Sequence, residues 1–257
     1  MKQIAITTLL LLSLNCFAKD KVITVKTIDS AKRFVLPVVC GYEDENHKFQ
    51  TVGIAGTGFL VESGRFVTMG HVLDNWDTAF IKARHACVPA VYFPLGGWKT
   101  FNKRFDLEAI TIGRCQRDYD LDLAVCELTV NPFTDKRISV SIVAFDTIDR
   151  PEGTEIAFTG FPNEYTVPIT SIGHVAGLIS IDHTENGYDY IMDKAAWPGA
   201  SGSPVFLADG RVIGIIRQRG SGDLSGIAIA RSAAVIVEFL SKHPTTKAAP
   251  QTADEKK

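Results

Sequence analysis

Trp197-Pro198-Gly199-Ala200-Ser201-Gly202-Ser203-Pro204 sets a serine between glycines inside a proline-bounded turn. Glycines free the backbone to turn the N–H groups of Gly199 and Ser201 toward one point beside the Ser201 hydroxyl. Two such donors make an oxyanion hole, and oxyanion stabilisation is usually the largest single contribution to catalysis of acyl transfer. A Gly-x-Ser-Gly tetrapeptide alone is also ordinary turn punctuation, so the reading depends on what the rest of the chain supplies.

Two segments supply it. Gly56-Thr57-Gly58-Phe59-Leu60-Val61 and Arg65-Phe66-Val67-Thr68-Met69 read as apolar strands joined by a polar turn at Glu62-Ser63-Gly64, and His71 follows the second strand. A histidine is the natural general base for a serine, because its unperturbed pKa is about 6.5. Asp118-Tyr119-Asp120-Leu121-Asp122-Leu123-Ala124-Val125 leads into an alternating strand. Leu121 and Leu123 pull Asp122 toward the core, where a carboxylate can hold a histidine's tautomer. Asp118 and Asp120 read as solvated turn residues.

In the order His, Asp, Ser, these segments resemble a chymotrypsin-fold, trypsin-like serine peptidase, in the bacterial branch that includes the HtrA/Deg protease domains and the glutamyl endopeptidases. The resemblance rests on Gly56 to Val72, on Asp122-Leu123-Ala124-Val125 and on Pro198 to Val205. Gly210 to Ile215 and Ser225 to Ala230 support it as later strands, and it covers roughly residues 33–241. It implies an all-β fold of two six-stranded antiparallel barrels with a C-terminal helix. It also implies roles: Ser201 as nucleophile, His71 as general base, Asp122 orienting His71, and the N–H groups of Gly199 and Ser201 as oxyanion hole. Ser203 occupies the family's small-residue position and is assigned to packing.

The chain departs from relatives at several positions. Ala200 stands where digestive members carry the aspartate that pairs with a newly cut N-terminus. The resemblance places Ala195, Ala196, Ile216, Gly226 and Ala228 around the primary substrate pocket. Neither the acid-selecting histidine (Ile216 here) nor the base-selecting aspartate (Ala195 here) is present, so a small or apolar preference is expected. Arg217, Gln218 and Arg219 are unusual in the substrate-pairing strand. They either favour acidic residues beyond the first subsite or form a solvated edge that discourages pairing. No peptide-binding module of the HtrA/Deg kind follows the barrels.

Composition narrows the classes. The formal net charge is −2, without a basic run interleaved with aromatics, so nucleic acid is not an expected partner. Protein or peptide substrates are, with the chain a monomer. Cysteine and histidine spacing offers no metal site, and no cofactor is expected. Residues 1–18 read as a signal peptide. Lys2 is its positive end, Ile4 to Leu14 an apolar run too short to span a bilayer comfortably, and Ala18 the cleavage position. Export to the periplasm or exterior follows. Lipidation at Cys16 is the alternative, disfavoured by Asn15. Beyond Cys16 the cysteines are Cys40, Cys87, Cys115 and Cys126. Cys115 with Cys126 suits neighbouring antiparallel strands, leaving Cys40 with Cys87; four buried thiols are the alternative.

The expected organisation is a signal peptide over 1–18, an N-terminal segment over 19–32, a first barrel over 33–130 and a connector over 131–152. A second barrel with the helix follows over 153–243, then a disordered tail over 244–257. Strands are expected at 33–39, 51–55, 58–61, 66–69, 90–93, 107–112 and 123–128. The second set is 155–160, 169–181, 188–192, 203–207, 212–218 and 227–230. Ser232 is placed to cap a helix whose apolar positions are Ala233, Val235, Ile236, Phe239 and Leu240. The leading function is a secreted serine endopeptidase acting through an acyl-enzyme. The alternatives are a catalytically silent binding protein on the same scaffold and a narrowly specific, toxin-like module using the aromatic insertion from His85 to Phe105.

Overall fold

The computed structural model describes residues 22–74, 88–98, 106–180, 187–219 and 226–245. Two closed antiparallel barrels account for most of them. The first contains β1 (Val35–Glu43), β2 (Phe49–Glu62), β3 (Arg65–Met69), β4 (Val88–Pro94), β5 (Leu107–Asp118) and β6 (Leu123–Leu128), in the order β1-β2-β3-β6-β5-β4. The second contains β7 (Glu155–Gly160), β8 (Ile169–Ser180), β9 (Tyr188–Met192), β10 (Pro204–Phe206), β11 (Val212–Arg219) and β12 (Ala228–Ser232), in the order β10-β11-β12-β9-β8-β7. Closure removes the open edges that short apolar strands would otherwise present.

The barrels share a core at their junction. Phe59, Phe66, Met69 and Leu123 of the first pack in one cluster with Phe161, Phe206 and Ile215 of the second and with Phe239 of α3 (Ala233–Lys242). A separate cluster, including Phe158, Tyr190, Met192 and Ile216, fills the second barrel. The Ser201 turn leads into β10 and the His71 segment follows β3, two strands that contribute to this shared cluster.

The first barrel differs from the sequence reading in one strand. Segments 51–55 and 58–61 form the single strand β2. Gly56 and Thr57, the two residues between those segments, continue the strand, and Gly56 and Gly58 permit close packing. A Cβ on Gly56 would sit 2.6 Å from Val72 Cγ2, and one on Gly58 would sit 2.7 Å from Phe66 Cδ2. Merging the two segments gives six strands, as closure requires.

Among the described residues, three α-helices flank the barrels. α1 (Val25–Ala31) lies in the N-terminal segment and was not foreseen; it buries only Thr27 and Ala31, too few for an apolar stripe. Thr24 caps it by accepting from Thr27 N–H. Its segment docks on the second barrel through Thr27 Oγ1, which donates to Ala208 O, and Ile23 N–H, which donates to Glu155 Oε2. α2 (Gly70–Asp74) carries His71. α3 starts at Ala233 as expected, but Ser232 makes no capping bond. It is still paired in β12, opposite Gly214, which buries its hydroxyl away from the helix amides.

Cys115 and Cys126 face each other across β5 and β6 and form a disulfide. Cys40 is disulfide-bonded as well. Its expected partner Cys87 lies outside the described residues, as do the expected signal peptide over 1–18 and nearly all of the expected tail. Among the described residues, no helix is long and apolar enough to cross a membrane.

Candidate active site

β3 delivers His71 and the β5–β6 turn delivers Asp122. Gly70 N–H donates to Asp122 O at 2.8 Å, fixing the two segments side by side. The Asp122 carboxylate then receives two donors from one residue. His71 N–H donates to Oδ1 at 2.8 Å, and His71 Nδ1 lies 2.7 Å from Oδ2. An Nδ1–H donated to a carboxylate leaves the Nε2 lone pair free to accept a proton. Gly70 makes room for this: a Cβ there would lie 3.0 Å from Asp122 Oδ1. Asp122 itself is in the left-handed region, with φ 54°. Burial opposes its ionisation, but the His71 hydrogen bonds, and the charges of His71 and Arg217, outweigh it and hold the carboxyl below its ordinary value.

The serine turn is braced by Thr57 of β2. Thr57 N–H donates to Ser201 O at 2.8 Å, and Thr57 Oγ1 donates to Gly199 O at 2.9 Å. Gly202, at φ 88°, could carry no side chain, since a Cβ would lie 1.7 Å from Thr57 O. Two carbonyls are turned outward. Pro198 O accepts from Asn163 N–H at 2.6 Å, and Ala200 O accepts from Ser203 N–H at 2.9 Å. In a planar trans peptide the N–H points opposite to the C=O, so the N–H groups of Gly199 and Ser201 face the other way. Neither has a hydrogen-bond partner among the described residues. Ser201 Oγ donates to Arg217 O at 3.4 Å. No hydrogen bond within the described residues joins Ser201 to His71. The two segments do meet at Gly56, where a Cβ would contact both Val72 and Ser201 O.

A comparison of the sequence with known families matches the trypsin-like peptidase domain over residues 56–215. The chain belongs to the trypsin-like peptidase family. No curated protein matches it. Among solved structures, the active form of the Rv3671c protease from M. tuberculosis superposes with a TM-score of 0.59 at 15% identity, covering 87% of this chain and 86% of that one. Deg5 superposes with a TM-score of 0.59 at 21% identity, covering 83% and 90%. At these identities the likeness speaks for the fold, and the fold and family together make this trypsin-like peptidase a serine endopeptidase hydrolase.

The residues named for the peptidase's primary pocket lie in different settings. Ala196, Ile216 and Ala228 are buried together in the core of the second barrel, and Ala195 is half-buried beside them. Gly226 is exposed, with open space where a Cβ would stand. Gln218 and Arg219 end β11. Arg217 is partly buried, and its guanidinium pairs with Asp189 of β9 at 3.2 Å. Ser203 is fully buried with its hydroxyl unpartnered among the described residues, consistent with packing. A cavity of about 230 Å³ lies elsewhere, against Ala200 and Trp197 and lined also by Phe158, Tyr165 and Ile169. None of the named pocket residues lines it.

Sequence reasoning missed Thr57, Asn163, Asp189 and Arg231. It also missed a second histidine clamp, in which His174 N–H donates to Asp193 Oδ1 at 2.6 Å and His174 Nδ1 lies 3.0 Å from Oδ2. A signal existed for that pair: the tripeptide Gly-His-Val occurs at Gly70-His71-Val72 and again at Gly173-His174-Val175.

Proposed function

We propose that the peptidase cleaves peptide bonds with Ser201 as nucleophile, His71 as general base and acid, and Asp122 as the group that orients His71. The carrying observation is the paired His71–Asp122 clamp beside a serine turn with two unengaged amides. His71 Nε2 takes the Ser201 proton as Oγ attacks the scissile carbonyl, and Asp122 stabilises the imidazolium that forms. The Gly199 and Ser201 amides receive the oxyanion. His71 then protonates the leaving amine, and water resolves the acyl-enzyme by the same steps in reverse. The absent Ser201–His71 hydrogen bond is compatible with this, because catalytic hydrogen bonds are often long until substrate is bound.

Primary-subsite preference is for small or apolar side chains, a reading supported by the sequence, which has Ala195 and Ile216 at the positions where relatives carry charge-selecting residues. Discrimination is modest, about 1–3 kcal/mol per methylene. The sequence of residues 1–18 supports export, with a mature chain beginning at Lys19.

The test is labelling of the purified mature protein with a fluorophosphonate, read by intact mass beside Ser201→Ala. One adduct, lost in the variant, is expected. A folded wild-type protein that takes no adduct would favour the silent binding-protein reading.

A further inference from the structure

A buried cluster of charge lies behind the His71–Asp122 pair. Arg231 of β12 is 1% exposed, yet its side-chain nitrogens are all engaged. Nε donates to Asp189 Oδ1 at 2.8 Å and Nη2 to Asp189 Oδ2 at 3.3 Å. Nη1 reaches across to the other barrel and donates to Leu121 O at 2.8 Å. Asp189 of β9, itself buried, also accepts from Arg217 Nη1 at 3.2 Å. Two cations therefore share one carboxylate. As a purely structural device this is poor, because well-packed apolar residues commonly replace such clusters without loss.

The cluster reaches both ends of the reacting set. Leu121 O belongs to the peptide unit that leads into Asp122, whose left-handed φ of 54° is costly for a residue with a Cβ. Arg231 fixes the plane of that peptide. On β11, the register with β12 slips between Ile216 and Gln218, so Arg217 sits on a bulge. Bulges next to active sites re-aim a side chain, and this one directs the Arg217 guanidinium to Asp189 while its carbonyl accepts from Ser201 Oγ.

From this geometry we infer that Arg231 and Arg217, joined through Asp189, are positioning residues that hold Asp122 and the Ser201 turn from the second barrel. The inference rests on the His71–Asp122–Ser201 reading. Arg231 acts through the Leu121 carbonyl, and Arg217 acts through Asp189 and through its own carbonyl at Ser201 Oγ. Other charges surround the pair. The Arg117–Asp74 ion pair joins β5 to α2, Asp118 and Asp120 lie in the turn before β6, and Lys242 of α3 interacts with Asp118. All of these are unchanged in the variants below.

The experiment measures the rate of fluorophosphonate labelling of Ser201 against pH, which needs no known substrate. Arg217→Met is half-exposed at the mutated position and leaves the Arg231–Asp189 bonds intact. Its labelling plateau should fall about tenfold. Arg217→Lys should restore the plateau. Arg231→Lys keeps the charge beside Asp189 but loses the bond to Leu121 O, so its plateau should drop as well. In NMR its downfield His71–Asp122 proton should broaden. A wild-type plateau in Arg217→Met would overturn the inference, as would a lower melting temperature alone. If Arg231→Lys does not fold, the Arg217 pair decides. If the wild-type protein itself takes no label, the Ser201 reading has failed, and that outcome is distinct from the others.

Discussion

His71–Asp122 and His174–Asp193 are built from the same parts, yet only one stands beside a serine turn. In both, one carboxylate accepts the backbone N–H and Nδ1 of a histidine. In both, a glycine precedes the histidine, and a Cβ there would press on the carboxylate, at 3.0 Å for Gly70 and 2.6 Å for Gly173. They differ in their surroundings. The Asp122 side chain is 23% exposed and that of Asp193 is 46% exposed. Asp122 sits at the barrel junction, its turn held by Arg231 and its carboxylate facing the charge of Arg217. His174 and Asp193 lie on the outer face of the second barrel, and no hydrogen bond among the described residues ties either side chain to a third side chain. A histidine clamped by a carboxylate is thus a local motif that a strand end with a glycine can make anywhere. The proposed chemistry draws on the Ser201 turn and on the buried charges at the junction, neither of which stands beside the second pair.

The sharpest way to break this comparison is to remove the same charge from each pair. Asp122→Asn should lower kcat by about four orders of magnitude, because the amide favours the wrong tautomer of His71. Asp193→Asn should leave kcat within about twofold, as surface changes away from a site generally do. Both are read on a chromogenic peptide at saturating concentration. A collapse of activity in Asp193→Asn would mean that the second pair is coupled to the reaction, and the contrast would be lost.

A smaller effect distinguishes how firmly each carboxylate is held. Gly70→Ala puts a methyl against Asp122 Oδ1, and that carboxylate is tied by His71 N–H and Nδ1 within a turn whose backbone Gly70 N–H and Arg231 hold. A sub-ångström displacement there should reduce kcat by about ten- to a hundredfold. Gly173→Ala makes a tighter contact, with Lys194 Cβ also at 2.9 Å. Asp193 can swing into solvent, so the cost should be about 1 kcal/mol of stability with kcat unchanged. Equal losses of activity from the two alanines would show that crowding, not placement, sets the outcome.

The segments of the proposed triad were legible in the sequence because each carries a local pattern: the glycine-framed Ser201, the strand ending at His71, and Asp122 between leucines. Most strands and the Cys115–Cys126 bridge were legible for the same reason, since alternation and spacing are short-range properties. Long-range contacts were not. Arg231 and Asp189 lie 42 residues apart, and arginine is a residue type that composition assigns to the surface. Thr57 looked like one more polar residue in a glycine-rich strand, although it bonds Gly199, Ser201 and Phe161 across the junction. The gap expected at residues 56–57 arose for a related reason. A glycine that ends a strand and a glycine that lets another segment come close are identical in sequence, and only the neighbour separates them.

The smallest predicted difference concerns acid stability. For Asp193, as for Asp122, burial raises the carboxyl's pKa, but hydrogen bonds from the paired histidine outweigh this and leave it below the ordinary value. A carboxylate whose folded pKa lies below its unfolded one stabilises the fold fully above the unfolded value. That contribution is lost as pH falls through the folded value. Both pairs should therefore steepen the fall in stability below about pH 4, and each Asp→Asn change should flatten it. The nearly half-exposed Asp193 is screened by water, so its share should be below about 1 kcal/mol. The more buried Asp122 should contribute more, and its variant should show the flatter curve. Urea unfolding of the wild-type protein and both asparagine variants across the acid range measures this ordering. If Asp193→Asn flattens the curve as much as Asp122→Asn does, the junction gives Asp122 no additional electrostatic hold, and the difference between the two clamps rests on the serine turn alone.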